Sequence, residues 1–224
     1  MCGRYTNTIS IKKLAERFGF NTLGDDFRPR YNIAPGQMAP VVLRRSPNQL
    51  QMMRWGLVPF WAKEEKIGYK MINARGETVD SKPSFRGPFR KRRCLVLADG
   101  FYEWQAVPGA KKKIPMRIVL KDRAPFGFAG LWDEWNSSEG QKLHTFTIIT
   151  TEANAKLKKI HDRMPVILRP EDEPVWLDTD LKDLKKLKAL IKPYPEKEMS
   201  YYPVGTLVNS PKNDVPECLE EAHG

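Results

Sequence analysis

A succession of short β-type runs, cut apart by proline, constrains this chain more than any other feature. Such runs occupy Ala39 to Arg44, Leu50 to Val58, Cys94 to Trp104, Pro115 to Leu120, Phe126 to Trp132 and His144 to Thr150, with shorter ones at Val166 to Leu168 and Tyr201 to Val208. Proline has no backbone N–H to give to a ladder, so 18 prolines break strands rather than lengthen them. Helical spacing is confined to three places. Ser10 precedes Ile11, Leu14, Ala15 and Phe18, and Gly19 follows, which predicts a capped amphipathic helix. Ala153 to Ile160 reads as a second helix. Leu181, Leu184, Leu187 and Leu190-Ile191 mark a third, with lysines on its wet face. There is no βαβ alternation, glycine-rich phosphate loop or internal repeat. The pattern predicts an α+β fold: a single β-rich domain with a few peripheral helices.

At 224 residues the chain can bury a substantial core, and no apolar run approaches the ~20 residues that span a bilayer. A basic segment leading into an apolar stretch is missing at the N-terminus, so no secretory signal is read and the cytoplasm is expected. The three cysteines, Cys2, Cys94 and Cys218, are scattered, and His144 and His161 show no zinc spacing. Disulfides and a metal site are not expected. Cys94 lies in an apolar run and is expected to pack as a small core residue. Beyond about Asn209 the chain turns polar and acidic, which predicts a loose tail over residues 210–224.

The formal charge is +11, which favours a polyanionic partner. Phe85-Arg86-Gly87-Pro88-Phe89-Arg90-Lys91-Arg92-Arg93 interleaves cations with aromatics. That pattern suits phosphate contacts beside stacking platforms, and it equally suits a solvated loop. Lys111-Lys112-Lys113 reads as an exposed turn.

The chain begins Met1-Cys2-Gly3-Arg4-Tyr5. Loss of Met1 would leave Cys2 with a free α-amine and a thiol on adjacent carbons. Such a 1,2-aminothiol condenses with an aldehyde to an imine, on which the thiol closes as a five-membered thiazolidine. The thiol could also act as a nucleophile with its own amine as base.

Four further segments are rich in reactive or recognition side chains. In Trp55-Gly56-Leu57-Val58-Pro59-Phe60-Trp61, Trp55 is expected in the core and Trp61 at a rim. Ile72-Asn73-Ala74-Arg75-Gly76-Glu77 sets an amide, a guanidinium and a carboxylate at alternate positions, hence on one face of an extended segment. Glu103 lies between Tyr102 and Trp104, where aromatic walls would strip its hydration and raise its pKa. His161-Asp162-Arg163-Met164-Pro165 joins a predicted helix to a predicted strand; its His can shuttle a proton and its Arg can hold a phosphate.

Together with Tyr31-Asn32-Ile33-Ala34-Pro35 and Arg93-Cys94 through Trp104, these motifs resemble, in order, the SOS-response-associated peptidase (SRAP) family of abasic-site-processing proteins. The resemblance runs from Cys2 to about Asn209. One departure is Leu97, where the family commonly has Pro before Ala-Asp-Gly. The resemblance implies a β-rich SRAP domain over residues 1–209 that acts as a monomer on single-stranded DNA, associates with the nucleoid when bound, and needs no cofactor. It implies autoproteolytic removal of Met1 and a covalent thiazolidine between Cys2 and the open-chain aldehyde of an abasic site. The family's catalytic Cys, Asn, Glu and His fall on Cys2, Asn73, Glu103 and His161, and its DNA contacts on Arg4, Trp61, Arg75, Thr150 and Arg163. A thiol peptidase using Cys2 and His161 on peptides, and a non-enzymatic single-strand-binding module, remain as alternative readings of the same residues.

Overall fold

The chain is described by a computed structural model covering residues 2–21, 28–44, 48–109 and 112–222; Met1 and Lys111 lie outside the described residues. Twelve strands are formed among them: β1 (Tyr5–Asn7), β2 (Arg30–Ile33), β3 (Met38–Leu43), β4 (Gln49–Trp55), β5 (Asn73–Arg75), β6 (Arg93–Ala98), β7 (Gly100–Gln105), β8 (Ile114–Leu120), β9 (Phe126–Asn136), β10 (Lys142–Glu152), β11 (Arg163–Pro165) and β12 (Met199–Pro203). Strands β4, β3, β6, β9 and β10 pair in that order, and β10 pairs with both β9 and β4. The sheet therefore closes into a small barrel, which leaves those strands no open edge. A second sheet, in the order β12-β8-β7-β1-β2, stands beside it. Among the described residues no helix is long and apolar enough to cross a membrane.

Alternation along the barrel strands sends side chains into two cores. Cys94, Val96, Phe128, Phe146 and Ile148 enter the core shared with Cys2, Tyr5 and Phe101. Their neighbours Leu95, Leu97, Ala129, Leu131 and Ile149 point the other way, into a second core with Leu14, Phe18, Phe89 and Trp176. Burial on both faces explains why β6 reads as a continuous apolar run rather than an alternating one.

The helices are α1 (Ile11–Phe18), α2 (Pro83–Lys91), α3 (Glu173–Leu177) and α4 (Leu184–Ala189). Helix α1 ends where Gly19 takes φ 66°, as its sequence predicts. Helix α2 corrects one of the two readings of residues 85–93, the solvated loop. Phe89 is fully buried against Trp176. Arg93 is also buried and gives its guanidinium to the carbonyls of Trp176, Phe89, Arg90 and Asp178, which closes off the ends of α2 and α3.

Four other expectations shift. The run Cys94 to Trp104 is two strands in different sheets. The chain crosses between them at Asp99, whose carboxylate takes the hydroxyls of Thr6 and Thr8, and at Gly100, where a Cβ would stand 3.0 Å from Thr6 and Arg117. Ala153 to Ile160 forms only one 3₁₀ turn, Leu157–Lys159. Asn154 caps this turn, its Oδ1 taking the Leu157 N–H, but Ile160 N–H closes on Leu157 O three residues back, so the turn stays 3₁₀ and does not continue as an α-helix. The strand expected at Val166 to Leu168 sits earlier, at β11, and Ile167 makes a lone bridge to Phe128. Finally, residues 210–222 are not a loose tail. Asp214 accepts the backbone N–H groups of Tyr31 and Asn32 and pairs with Arg30, Cys218 is buried, and Glu221 bridges Val204.

Candidate active site

The N-terminal residues lie along β7. Tyr5 pairs with Phe101 and Thr6 with Gly100, and Tyr102 N–H reaches Arg4 O, so the continued register sets Gly3 opposite Glu103. Cys2 is fully buried. Burial pushes its thiol far above the ordinary value, and the neighbouring Glu103 carboxylate adds to the rise.

Strand β5 brings Asn73 to the same place. It pairs in parallel with β10, Asn73 with Ile148 and Arg75 with Thr150. Ala74 faces the second core, so Asn73 and Arg75 share the opposite face as alternation predicts, with Arg75 exposed. Glu77 departs from that row because the chain turns after Arg75. Asn73 Nδ2 donates to Cys2 O at 2.8 Å, while its Oδ1 is buried without a partner among the described residues.

Glu103 is 5% exposed, and burial raises its carboxyl above the ordinary range, with positive charge from His161 among the groups pulling the other way. The source of that burial differs from the expectation. Tyr102 and Trp104 project to the far face, where they pack with Val204 and Val208. Glu103 is desolvated by the inner face, through which Cys2 and Met116 also pack.

His161 follows the 3₁₀ turn, its N–H held by Leu157 O. Its Nδ1 accepts the Arg163 N–H at 3.0 Å and lies 2.7 Å from Asp162 Oδ1. The first contact suits an Nδ1 without a proton and the second an Nδ1 that carries one, so the two are alternative hydrogen bonds of one ring atom.

The expected recognition residues divide. Strands β5 and β11 flank the end of β10, which joins Arg75, Thr150 and Arg163. Thr150 is fully buried, and its carbonyl and hydroxyl accept from Arg163 Nη2 at 2.8 and 3.2 Å. Arg163 also makes a two-pronged pair with Glu77, at 2.6 and 3.0 Å, and that pair holds the Glu77 carboxyl below its ordinary value. Arg4 is half-buried; its Nη1 donates to Asn32 Oδ1 and Val208 O, and it lies over the Trp104 ring. Trp55 is core and Trp61 is 48% exposed, as the sequence predicts.

Sequence reasoning missed three features. Phe60, at 67%, is more exposed than Trp61, and Tyr69 is 65% exposed. Gly56 starts that rim with φ 118°, where a Cβ would meet Gly68 O at 2.7 Å. Buried Asp133 then takes the Phe60 N–H and pairs with Arg92, while Trp135 Nε1 donates to Ala62 O. Asn32, named only as part of a motif, ties Arg4 to the carbonyls of Val208, Ser210 and Asn213. No local pattern announced either support, because each partner is distant in the chain. Among the described residues no group of His, Cys, Asp and Glu could hold a metal.

A family model described as SOS response associated peptidase (SRAP) matches residues 1–211. The abasic site processing protein YoqW of Bacillus subtilis (strain 168) is 48% identical over 223 residues, covering 98% of this chain and 99% of that protein. The abasic site processing protein HMCES of Gallus gallus is 38% identical, over 86% of this chain and 66% of that protein. A crystal structure of a protein from Bacteroides thetaiotaomicron matches with a TM-score of 0.90 at 31% identity, covering 99% of this chain and all of that one. On matches that span nearly its whole length, the chain belongs to the SOS response associated peptidase (SRAP) family.

Proposed function

We propose that this protein processes abasic sites in single-stranded DNA by joining itself to the lesion through the Cys2 aminothiol. The observation that carries the reading is the clustering of Asn73 and buried Glu103 on Cys2, the residue that bears the α-amine once Met1 is gone. The names of the relatives, abasic site processing proteins, supply the substrate class.

The sequence begins with hydrolysis of the Met1–Cys2 bond, an autopeptidase step in keeping with the family's description. An abasic sugar is mostly a closed hemiacetal, and His161 moves the proton that opens it. The Cys2 amine then attacks the aldehyde carbon, and the carbinolamine hydroxyl leaves as water with a proton from Glu103. The thiol adds to the imine carbon, its proton passing to nitrogen. Amine, thiol and aldehyde thus become a thiazolidine and one water. An imine acidifies the adjacent C–H and invites loss of phosphate; the closed ring removes that acidity and leaves the strand intact. Opening by the reverse path takes up one water and releases the strand unchanged, whereas β-elimination of phosphate from the imine gives the associated lyase chemistry. Arg75 and Arg163 grip flanking phosphates, and Trp61 stacks on a base.

A thiol peptidase acting on other peptides fits less well, since it gives exposed Arg75 and exposed Trp61 no role. A plain binding module leaves the buried Glu103 carboxyl without a purpose. The test is incubation with an abasic oligonucleotide followed by denaturing electrophoresis, with intact mass measured beforehand. We expect the chain minus Met1 and an adduct that survives denaturation without reductant. Full activity with Met1 retained would overturn the mechanism.

A further inference from the structure

A cavity of about 650 Å³ opens beside the His161 turn, lined by Lys121, Lys156, Lys159 and Lys197 with Tyr201 and one acid, Glu196. The proposed chemistry uses none of these residues. Two connections tie the cavity to the candidate active site. Gln105 Nε2 donates to Lys159 O at 3.0 Å; Gln105 lies two residues beyond Glu103 on β7, and Lys159 two residues before His161. Across the second sheet, Tyr201 pairs with Ile118 and Ile118 with Phe101, while Met116 in the same strand as Ile118 pairs with Glu103. Phe101, Met116 and Ile118 face the shared core, and Tyr201 packs against it. Tyr201 and Glu103 therefore share one face, two strands across and two residues along, about 12 Å apart.

Four ammonium groups against one carboxylate make a strongly anion-seeking hollow, and three of the lysines, Lys121, Lys159 and Lys197, are exposed. Lys156 is engaged, its Nζ donating to Met199 O at 2.7 Å. An aromatic ring amid lysines suits a polyanion that also carries flat bases, and a free anion would not use the ring. We infer that this cavity is a second nucleic-acid subsite, which holds the phosphates and stacks a base of the single strand on one side of the lesion. The inference rests on the abasic-site reading and assigns that partner a direction across the protein.

The test uses the full chain and oligonucleotides with a non-reactive abasic analogue, flanked by nucleotides on the 5′ side only, the 3′ side only, or both. Lys121→Gln, Lys159→Gln and Lys197→Gln are combined, leaving Lys156 in place. For one of the one-sided oligonucleotides, we expect affinity to fall at least about tenfold and the salt slope to become shallower by about 2, at about 0.7 per phosphate contact. The other one-sided oligonucleotide should bind as before, and adduct yield at saturating reactive oligonucleotide should be unchanged. Tyr201→Ala should weaken the same arm with the slope unchanged, and Tyr201→Phe should restore it. If the triple variant fails to fold, Lys197→Gln alone should still lower that slope by about 0.7. Unchanged binding in both one-sided arms, or equal loss in both, overturns the subsite. Inorganic phosphate binding that the triple variant loses, with no change for any oligonucleotide, makes the hollow a free-anion site and equally overturns it. Failure of the wild type to form any adduct, or salt-independent binding by it, would instead refute the abasic-site reading beneath.

Discussion

Asn73 donates its side-chain N–H to the carbonyl oxygen of Cys2 at 2.8 Å, and the oxygen of the same amide is buried without a partner among the described residues. One side chain thus fixes residue 2 by its carbonyl and keeps an uncharged acceptor, its own oxygen, uncommitted. An acceptor that carries no charge orients an amine without drawing a proton onto it. A carboxylate in that position would favour the ammonium form, which cannot attack an aldehyde.

The prediction follows from that difference. Asn73→Ala should slow single-turnover adduct formation about tenfold or more with reversible strand affinity unchanged, as expected for one lost positioning bond. Asn73→Asp should be slower still near neutrality and recover as pH rises and the amine gives up its proton. An Asn73→Asp variant with the wild-type rate and no pH-dependent recovery would remove Asn73 from this role.

Glu103 yields a prediction with a sign. Its folded-state carboxyl is raised by burial, so the native state binds the proton more tightly than the unfolded chain. The charge penalty is absent below the ordinary carboxylate value, about 4.3, and complete above the raised value. Glu103→Gln should therefore raise Tm at pH 7–8, with the gain shrinking toward pH 4, while adduct formation or release slows. Equal Tm differences across that range would show that the carboxyl is not destabilised by its site.

The basic run at residues 85–93 tests how far charge counts can be trusted. Arg93 is 1% exposed and its guanidinium is satisfied by backbone carbonyls. Arg93→Gln should cost about 2–4 kcal/mol by leaving buried carbonyls unpaired, a fall in Tm on the order of 10 °C. The salt slope of strand binding should not move. A slope that becomes shallower with Tm intact would return Arg93 to the nucleic-acid surface.

That residue also shows what a sequence can and cannot disclose. Strands β3, β4, β9 and β10, the core place of Trp55 and the exposure of Trp61 were legible because β-type composition and flanking turns are local signals. The two strands hidden in Cys94 to Trp104 were not, since both faces of β6 are buried and the break at Asp99 is imposed by Thr6 and Thr8. Helix α2 was obscured by Pro83 and Pro88, although the first stands at a helix start, where its missing N–H costs nothing. For the site, residue types singled out Cys2, Glu103 and His161 as candidates, and the resemblance to the family added Asn73. The burial of Thr150 and the engagement of Arg4 came from register and from a C-terminal segment whose composition reads as solvated.

The pair between Arg163 and Glu77 gives the last prediction. Glu77 makes two bonds to the guanidinium that is proposed to grip a phosphate, so carboxylate and phosphate compete for one cation. Glu77 lies largely in solvent while Arg163 is mostly covered, so releasing the pair asks little of the fold. Glu77→Gln should leave Tm nearly unchanged, tighten reversible binding to a single strand and steepen the salt slope by up to about 0.7, the contribution of one further phosphate contact. Arg163→Ala should weaken binding and flatten the slope by a similar amount. In the double variant, Glu77→Gln should add nothing, because the cation it unmasks is gone. Trp61→Ala should weaken binding with the slope unmoved, since stacking releases no counterions. Binding measured by anisotropy across a range of salt concentrations reads all four proteins. If Glu77→Gln weakens binding instead, the carboxylate orients Arg163 for its phosphate rather than competing with it, and the pair is part of the binding surface.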